Sequence, residues 1–90
     1  MLIGKVVGNI WATRKHHGLD GFKLMVVRIL DASGEETGEA LVAIDNVGAG
    51  FDDTVLIARG GASRLACPDP KVPVDAAIVG IVDDLDVMTP

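Results

Sequence analysis

The chain has 90 residues, 49% of them hydrophobic, with thirteen acids against eight bases for a net charge of −5. That length allows one domain, residues 1–90, and the composition excludes a disordered tail. The acidic balance, with one Trp, two Phe and no Tyr, argues against a nucleic-acid binder, which needs a basic face and, for single strands, aromatic platforms.

In chain order, Leu2–Ile10 is rich in β-branched residues and predicts a strand, in which Gly4 and Gly8 permit bends or close backbone approach. This opening carries Lys5 and Asn9 and lacks a basic leader and cleavage site, so it does not read as a signal peptide. His16–Gly21 is a polar connector. Phe22–Leu30 is the next predicted strand, Asp31–Gly38 a turn, and Ala40–Asp45 and Thr54–Ala58 two further strands separated by Asn46–Asp53. Gly61–Cys67 offers one short helix before Pro68, Ala76–Val82 a fifth strand, and Leu85–Met88 a short edge strand. Short strands spaced by turns predict an all-β fold, a small five-stranded OB-like barrel with one short helix. No stretch approaches the ~20 apolar residues of a membrane-spanning helix.

The strands do not alternate as half-buried strands should. In Phe22–Leu30 one face carries Phe22, Leu24, Val26, Arg28 and Leu30, and the other Lys23, Met25, Val27 and Ile29. Both are mainly apolar, and so are both faces of Ala76–Val82. No long helix is predicted that could cover a second face, so a neighbouring copy is expected to cover it. We assign that contact to Met25, Val27 and Ile29. Charge is also split along the chain. Residues 1–28 hold five bases against one acid, a net of +4, and residues 29–90 hold three bases against twelve acids, a net of −9. That split suits one subunit's basic segment meeting a neighbour's acidic one, with pairing inside the chain as the alternative. Arg14 and Lys15 are assigned to contact with an acidic rim on a neighbour, a solvated basic pair being the other reading.

Motifs that carry chemistry are sparse. Gly48-Ala49-Gly50 lacks the Lys-Ser/Thr and following helix of a phosphate loop. His16 and His17 are adjacent and have no acid or Cys within three residues to complete a metal shell. Asp83-Asp84-Leu85-Asp86 reads as a strand-ending turn rather than a magnesium site. Cys67 is the only cysteine, which excludes an intrachain disulfide, and it has no obvious His or Asp partner. Asp45 and Asp75 flank apolar runs where a carboxylate can accept backbone N–H bonds in a turn. No catalytic residue, metal or cofactor is expected.

Four stretches in order carry a resemblance. They are Gly4-Lys5-Val6-Val7-Gly8-Asn9-Ile10-Trp11-Ala12-Thr13-Arg14-Lys15, Gly21-Phe22-Lys23-Leu24-Met25-Val26-Val27, Ala43-Ile44-Asp45-Asn46-Val47-Gly48-Ala49-Gly50 and Val74-Asp75-Ala76-Ala77-Ile78-Val79-Gly80-Ile81-Val82-Asp83. Together they resemble the EutN/CcmL family of bacterial microcompartment vertex proteins over nearly the whole chain. The resemblance implies a ring-shaped homopentamer of OB-like barrels that caps the five-fold vertices of a polyhedral shell. It also implies hexameric and trimeric shell proteins as partners, a cytoplasmic compartment, and neither nucleic acid nor membrane. An OB-type oligonucleotide-binding module is the alternative, and a small enzyme with a carboxylate metal site at Asp83–Asp86 a further rival. Under the family reading Val47, Gly48, Ala49, Gly50, Phe51 and Asp52 lie near the five-fold axis. The family's loop often continues with a further Gly where this chain has Phe51-Asp52-Asp53. A positive φ there falls to Asp52, since Asp enters the left-handed region more readily than most residues.

Overall fold

A computed structural model describes residues 1–10, 22–60 and 75–83. They form five strands: β1 (Leu2–Ile10), β2 (Lys23–Leu30), β3 (Glu36–Asp45), β4 (Thr54–Arg59) and β5 (Ala76–Ile81). The expected helix at Gly61–Cys67 and the edge strand at Leu85–Met88 lie outside the described residues. The sheet runs β1-β2-β3-β5-β4 and closes where β4 pairs with β1. Every neighbouring pair is antiparallel except β3 and β5, which meet in parallel through Ile44 and Asp45. This is the all-β, five-stranded OB-like barrel expected from the sequence.

β3 is longer than predicted. It begins at Glu36, inside the segment expected to be a turn, because the reversal is compressed into Asp31–Glu35. The Asp31 carboxylate accepts from Ser33 N–H at 2.9 Å, Ser33 Oγ at 2.7 Å and Glu35 N–H at 3.0 Å. Pairing resumes at once between Leu30 and Glu36, then shifts register before Arg28 and Ala40. Gly38 absorbs that bulge with a φ of 92°. Thr37 Oγ1 ties it down by donating to the Ile29 carbonyl at 3.0 Å.

The barrel interior is filled from all five strands. Val6, Val27, Val55, Ile57 and Ile78 are its largest fully buried side chains, with Met25, Ile29 and Ala43 packed among them. Burial of each aliphatic side chain contributes roughly 1.5–3 kcal/mol. Met25, Val27 and Ile29 are only 3%, 0% and 5% exposed, which corrects their assignment to a subunit contact. They face the barrel's own core, and the opposite face of β2, bearing Leu24, Val26 and Arg28, is the outer one. Gly4 also faces inward, and a Cβ there would run into Val27 Cγ1, with Ile57 Cδ1 at 2.9 Å. The core is packed against bare backbone, as the close-approach reading of Gly4 anticipated. At Gly8 a Cβ would meet no atom within 4 Å, so that glycine serves the register shift beside it, between Val6 and Gly8.

Two outcomes follow for stability. Ile57→Ala should cost about 2–5 kcal/mol through the cavity it leaves, and Gly4→Ala about 1–3 kcal/mol by overpacking. Both are measurable by chemical denaturation at fixed protein concentration. The second concerns pH. The Ser33 hydroxyl, followed by the Glu35 and Ser33 N–H groups, holds the Asp31 carboxyl below the usual carboxylate range. A lowered folded pKa means that the carboxylate supports the turn fully above the ordinary Asp value, and that this support is lost as pH falls through the lowered value. Ser33→Ala should move the Asp31 titration upward in an NMR pH series, and an unchanged midpoint would disprove the role given to the hydroxyl.

Candidate assembly surface

With one face of the sheet committed to the interior, the other carries apolar groups that the barrel cannot use. Registration of β1, β2 and β3 sets Ile10 beside Leu24 and Ile44, and Gly8 beside Val26 and Val42. Ile44 is buried with Ala77 in a second cluster that includes Phe22, Leu24 and Val79. Beyond it the wall opens to water: Val42 is 45% exposed and Ile10 37%. Arg28 borders this strip and reaches Glu36 Oε1 at 3.7 Å. A shallow groove continues from there past Val7, Gly38, Glu39 and Ala40.

The second feature is the connection between β3 and β4, which is fastened at both ends. Asp45 Oδ1 accepts from Val47 N–H at 2.9 Å and Gly48 N–H at 3.1 Å, the turn role expected of this carboxylate. Gly48 has a φ of 81°. Asp53 Oδ2 accepts from Gly50 N–H at 2.8 Å while Asp53 N–H donates to the Gly50 carbonyl at 3.1 Å. The loop is then clamped to β1, for Asp52 N–H donates to the Val6 carbonyl at 2.8 Å and Val6 N–H to the Asp53 carbonyl at 3.0 Å. Ala49 is a buried member of the barrel core. Asp52 has a φ of 74°, as expected of the residue standing where the family's glycine would be. Its carboxylate meets Lys5 Nζ at 3.2 Å. Val47 and Phe51 remain exposed.

The remaining sequence candidates separate. Arg14, Lys15, His16, His17 and Cys67 lie outside the described residues, as do Asp84 and Asp86. Asp75 and Asp83 are exposed. Among the described residues no three His, Cys, Asp or Glu side chains are placed to hold a metal ion, and no helix is long and apolar enough to cross a membrane. What the described residues offer is a partly apolar exterior and a loop pinned to β1.

Residues 1–83 match the family described as ethanolamine utilisation protein EutN/carboxysome. The chain belongs to the EutN/CcmL family. It is 41% identical over 85 residues to the bacterial microcompartment shell vertex protein EutN of Escherichia coli K12, covering 94% of this chain and 90% of that one. It is 44% identical over 88 residues to the carboxysome shell vertex protein CcmL of Nostoc sp. PCC 7120, covering 97% and 87% respectively. The solved GrpN pentameric microcompartment shell protein from Rhodospirillum rubrum superposes with a TM-score of 0.90 at 36% identity, covering 98% of this chain and all of that one. This EutN/CcmL chain is accordingly a structural shell protein and not an enzyme, and the oligonucleotide-binding alternative is not favoured. Lys5 and Arg28, two bases of the described barrel wall, are engaged in ion pairs.

The outer residues Ile10 and Val42 were missed in the sequence, although Arg28 marks their side. A charge in the middle of a core strand has to face outward, and Val26 shares its face.

The left-handed backbone at position 52 yields a stability ranking. Asp52→Val should lose about 1–2 kcal/mol, because a β-branched side chain is strained at positive φ. Asp52→Asn and Asp52→Gly should stay within about 0.5 kcal/mol of the parent, since the exposed pair with Lys5 is worth little. Urea melts of the three variants test the order, and equal losses for Val and Gly would contradict it.

Proposed function

We propose that this single-domain chain, residues 1–90, assembles as a homopentamer and closes the five-fold vertices of a bacterial microcompartment shell in the cytoplasm. Hexameric and trimeric shell proteins are its partners in that wall. A flat layer of hexagonal tiles cannot close without five-fold units at its corners, so the task is geometric. The observation that carries the reading is the apolar outer wall at Ile10, Val26 and Val42, left over after the barrel has filled its own interior. Contact between copies would remove it from water, and a ring forms when a head-to-tail contact closes on itself. Arg14 and Lys15 are assigned to the charge-complementary margin of that contact, given the acid excess of residues 29–90. The loop Val47–Asp52 is assigned to the rim of the five-fold axis, where the small Gly48-Ala49-Gly50 run admits close approach and its fastenings to β1 keep the approach fixed.

Light scattering of the purified chain should return about five times the subunit mass. Val42→Glu should weaken the assembly roughly tenfold or more by placing a charge in an apolar contact, while circular dichroism shows the barrel still folded. A lone subunit at micromolar concentration, or a Val42→Glu protein with unchanged mass on dilution, would overturn the reading.

A further inference from the structure

Phe51 is 76% exposed, in a chain with one Trp and one other Phe. The exposure is not the product of a loose loop. Residue 52 is bonded to Val6, residue 53 to Gly50, and Ala49 is seated in the core. The neighbouring carboxylates each have a partner within the subunit. Asp45 is occupied by the Val47 and Gly48 N–H groups, Asp53 by Gly50 N–H, and Asp52 by Lys5. What the loop offers to its surroundings is a fixed aromatic ring, with Val47 41% exposed on the same connection.

That arrangement suits contact with further copies of itself. Loops gathered about an axis bring like charges together, and free carboxylates at their tips would repel one another. Here Asp45 and Asp53 accept backbone N–H bonds of the same loop, Asp52 is countered by Lys5 in an exposed pair, and the exposed side chain beside them is apolar. Resting on the pentamer reading above, we infer that the Phe51 rings of neighbouring copies meet about the five-fold axis and form an apolar constriction that excludes hydrated ions. Aromatic side chains bury roughly 150–250 Å² each when enclosed, and a constriction lined by them closes to ions by dewetting. In this pentamer the axis is thus a seal rather than a charged channel.

Disulfide trapping tests the meeting of the rings. Phe51→Cys is made in a Cys67→Ala background and oxidised with copper–phenanthroline, with Glu35→Cys on the β2–β3 turn as the distant control. The expected result is an assembly of five-fold mass whose disulfide-linked dimers form in a yield that does not change over a hundredfold dilution. An assembly of five-fold mass in which Phe51→Cys cross-links no better than Glu35→Cys overturns this inference and leaves the pentamer reading standing. A parent protein that scatters as a single subunit overturns both. If Phe51→Cys itself dissociates the ring while the barrel stays folded, Phe51→Leu and Phe51→Ser decide. Five-fold mass retained by Leu and lost by Ser supports apolar contact, and equal behaviour of the two rejects it.

Discussion

A closed barrel has one interior, and this chain carries apolar side chains on both faces of its sheet. Everything else follows from how that conflict is resolved. The interior takes Val6, Met25, Val27, Ile29, Val55, Ile57 and Ile78, and Gly4 gives up its side chain so that Val27 can approach the backbone. Once the barrel is full, Ile10, Val26 and Val42 have nowhere to go but outward. Each large aliphatic group transferred from water contributes roughly 1.5–3 kcal/mol, so an outer wall of this kind supplies a driving force for association, set against the entropic cost of bringing subunits together. Barrel closure also removes the open sheet edges that would let such a surface aggregate without limit. What remains is a patch on a rigid frame, and rigid patches lead to defined assemblies.

Much of this was legible in the sequence. Turn chemistry at Asp31–Gly38 and Asn46–Asp53, with β-branched runs between, was enough to locate five strands and an OB-like barrel. Four ordered stretches were enough for the family. What could not be read from strand pattern was which face points in. When both faces of β2 are apolar, a period of two gives no preference, and the subunit contact was assigned to Met25, Val27 and Ile29, which face inward. Lys23 stands at the strand's first position, where a long side chain escapes to water whichever face it is on. Arg28 stands mid-strand and has no such escape. Weighting a charge by its distance from the strand end would have identified Leu24, Val26 and Arg28 as the outer face.

The start of β3 illustrates a second limit. Glu36, Gly38 and Glu39 have little intrinsic strand preference, and the pairing of this segment with β2 is enforced from outside. The Asp31 carboxylate completes the reversal within a few residues, after which the chain lies antiparallel to β2 whatever its propensity. Gly38 then accommodates the bulge. Local composition was outvoted by a single side chain that closes the turn early.

The loop after β3 was legible for a different reason. Its conformation is set by residues that act on their own backbone, and two of these were read, Asp45 by accepting N–H bonds and Asp52 by tolerating positive φ, while Asp53, which accepts from Gly50 N–H, was not singled out. The clamp to Val6 was not legible, because it joins positions far apart in the chain. That clamp makes the loop part of the barrel rather than an appendage. A loop bonded to β1 through Asp52 and Asp53, with Ala49 packed into the core, is held to the barrel wall at its far end and from within. Catalytic loops commonly sit at the low-stability end of a fold because they need to open. A loop fastened this thoroughly has the opposite requirement, which is the mechanical signature of a part whose function is to stay where it is.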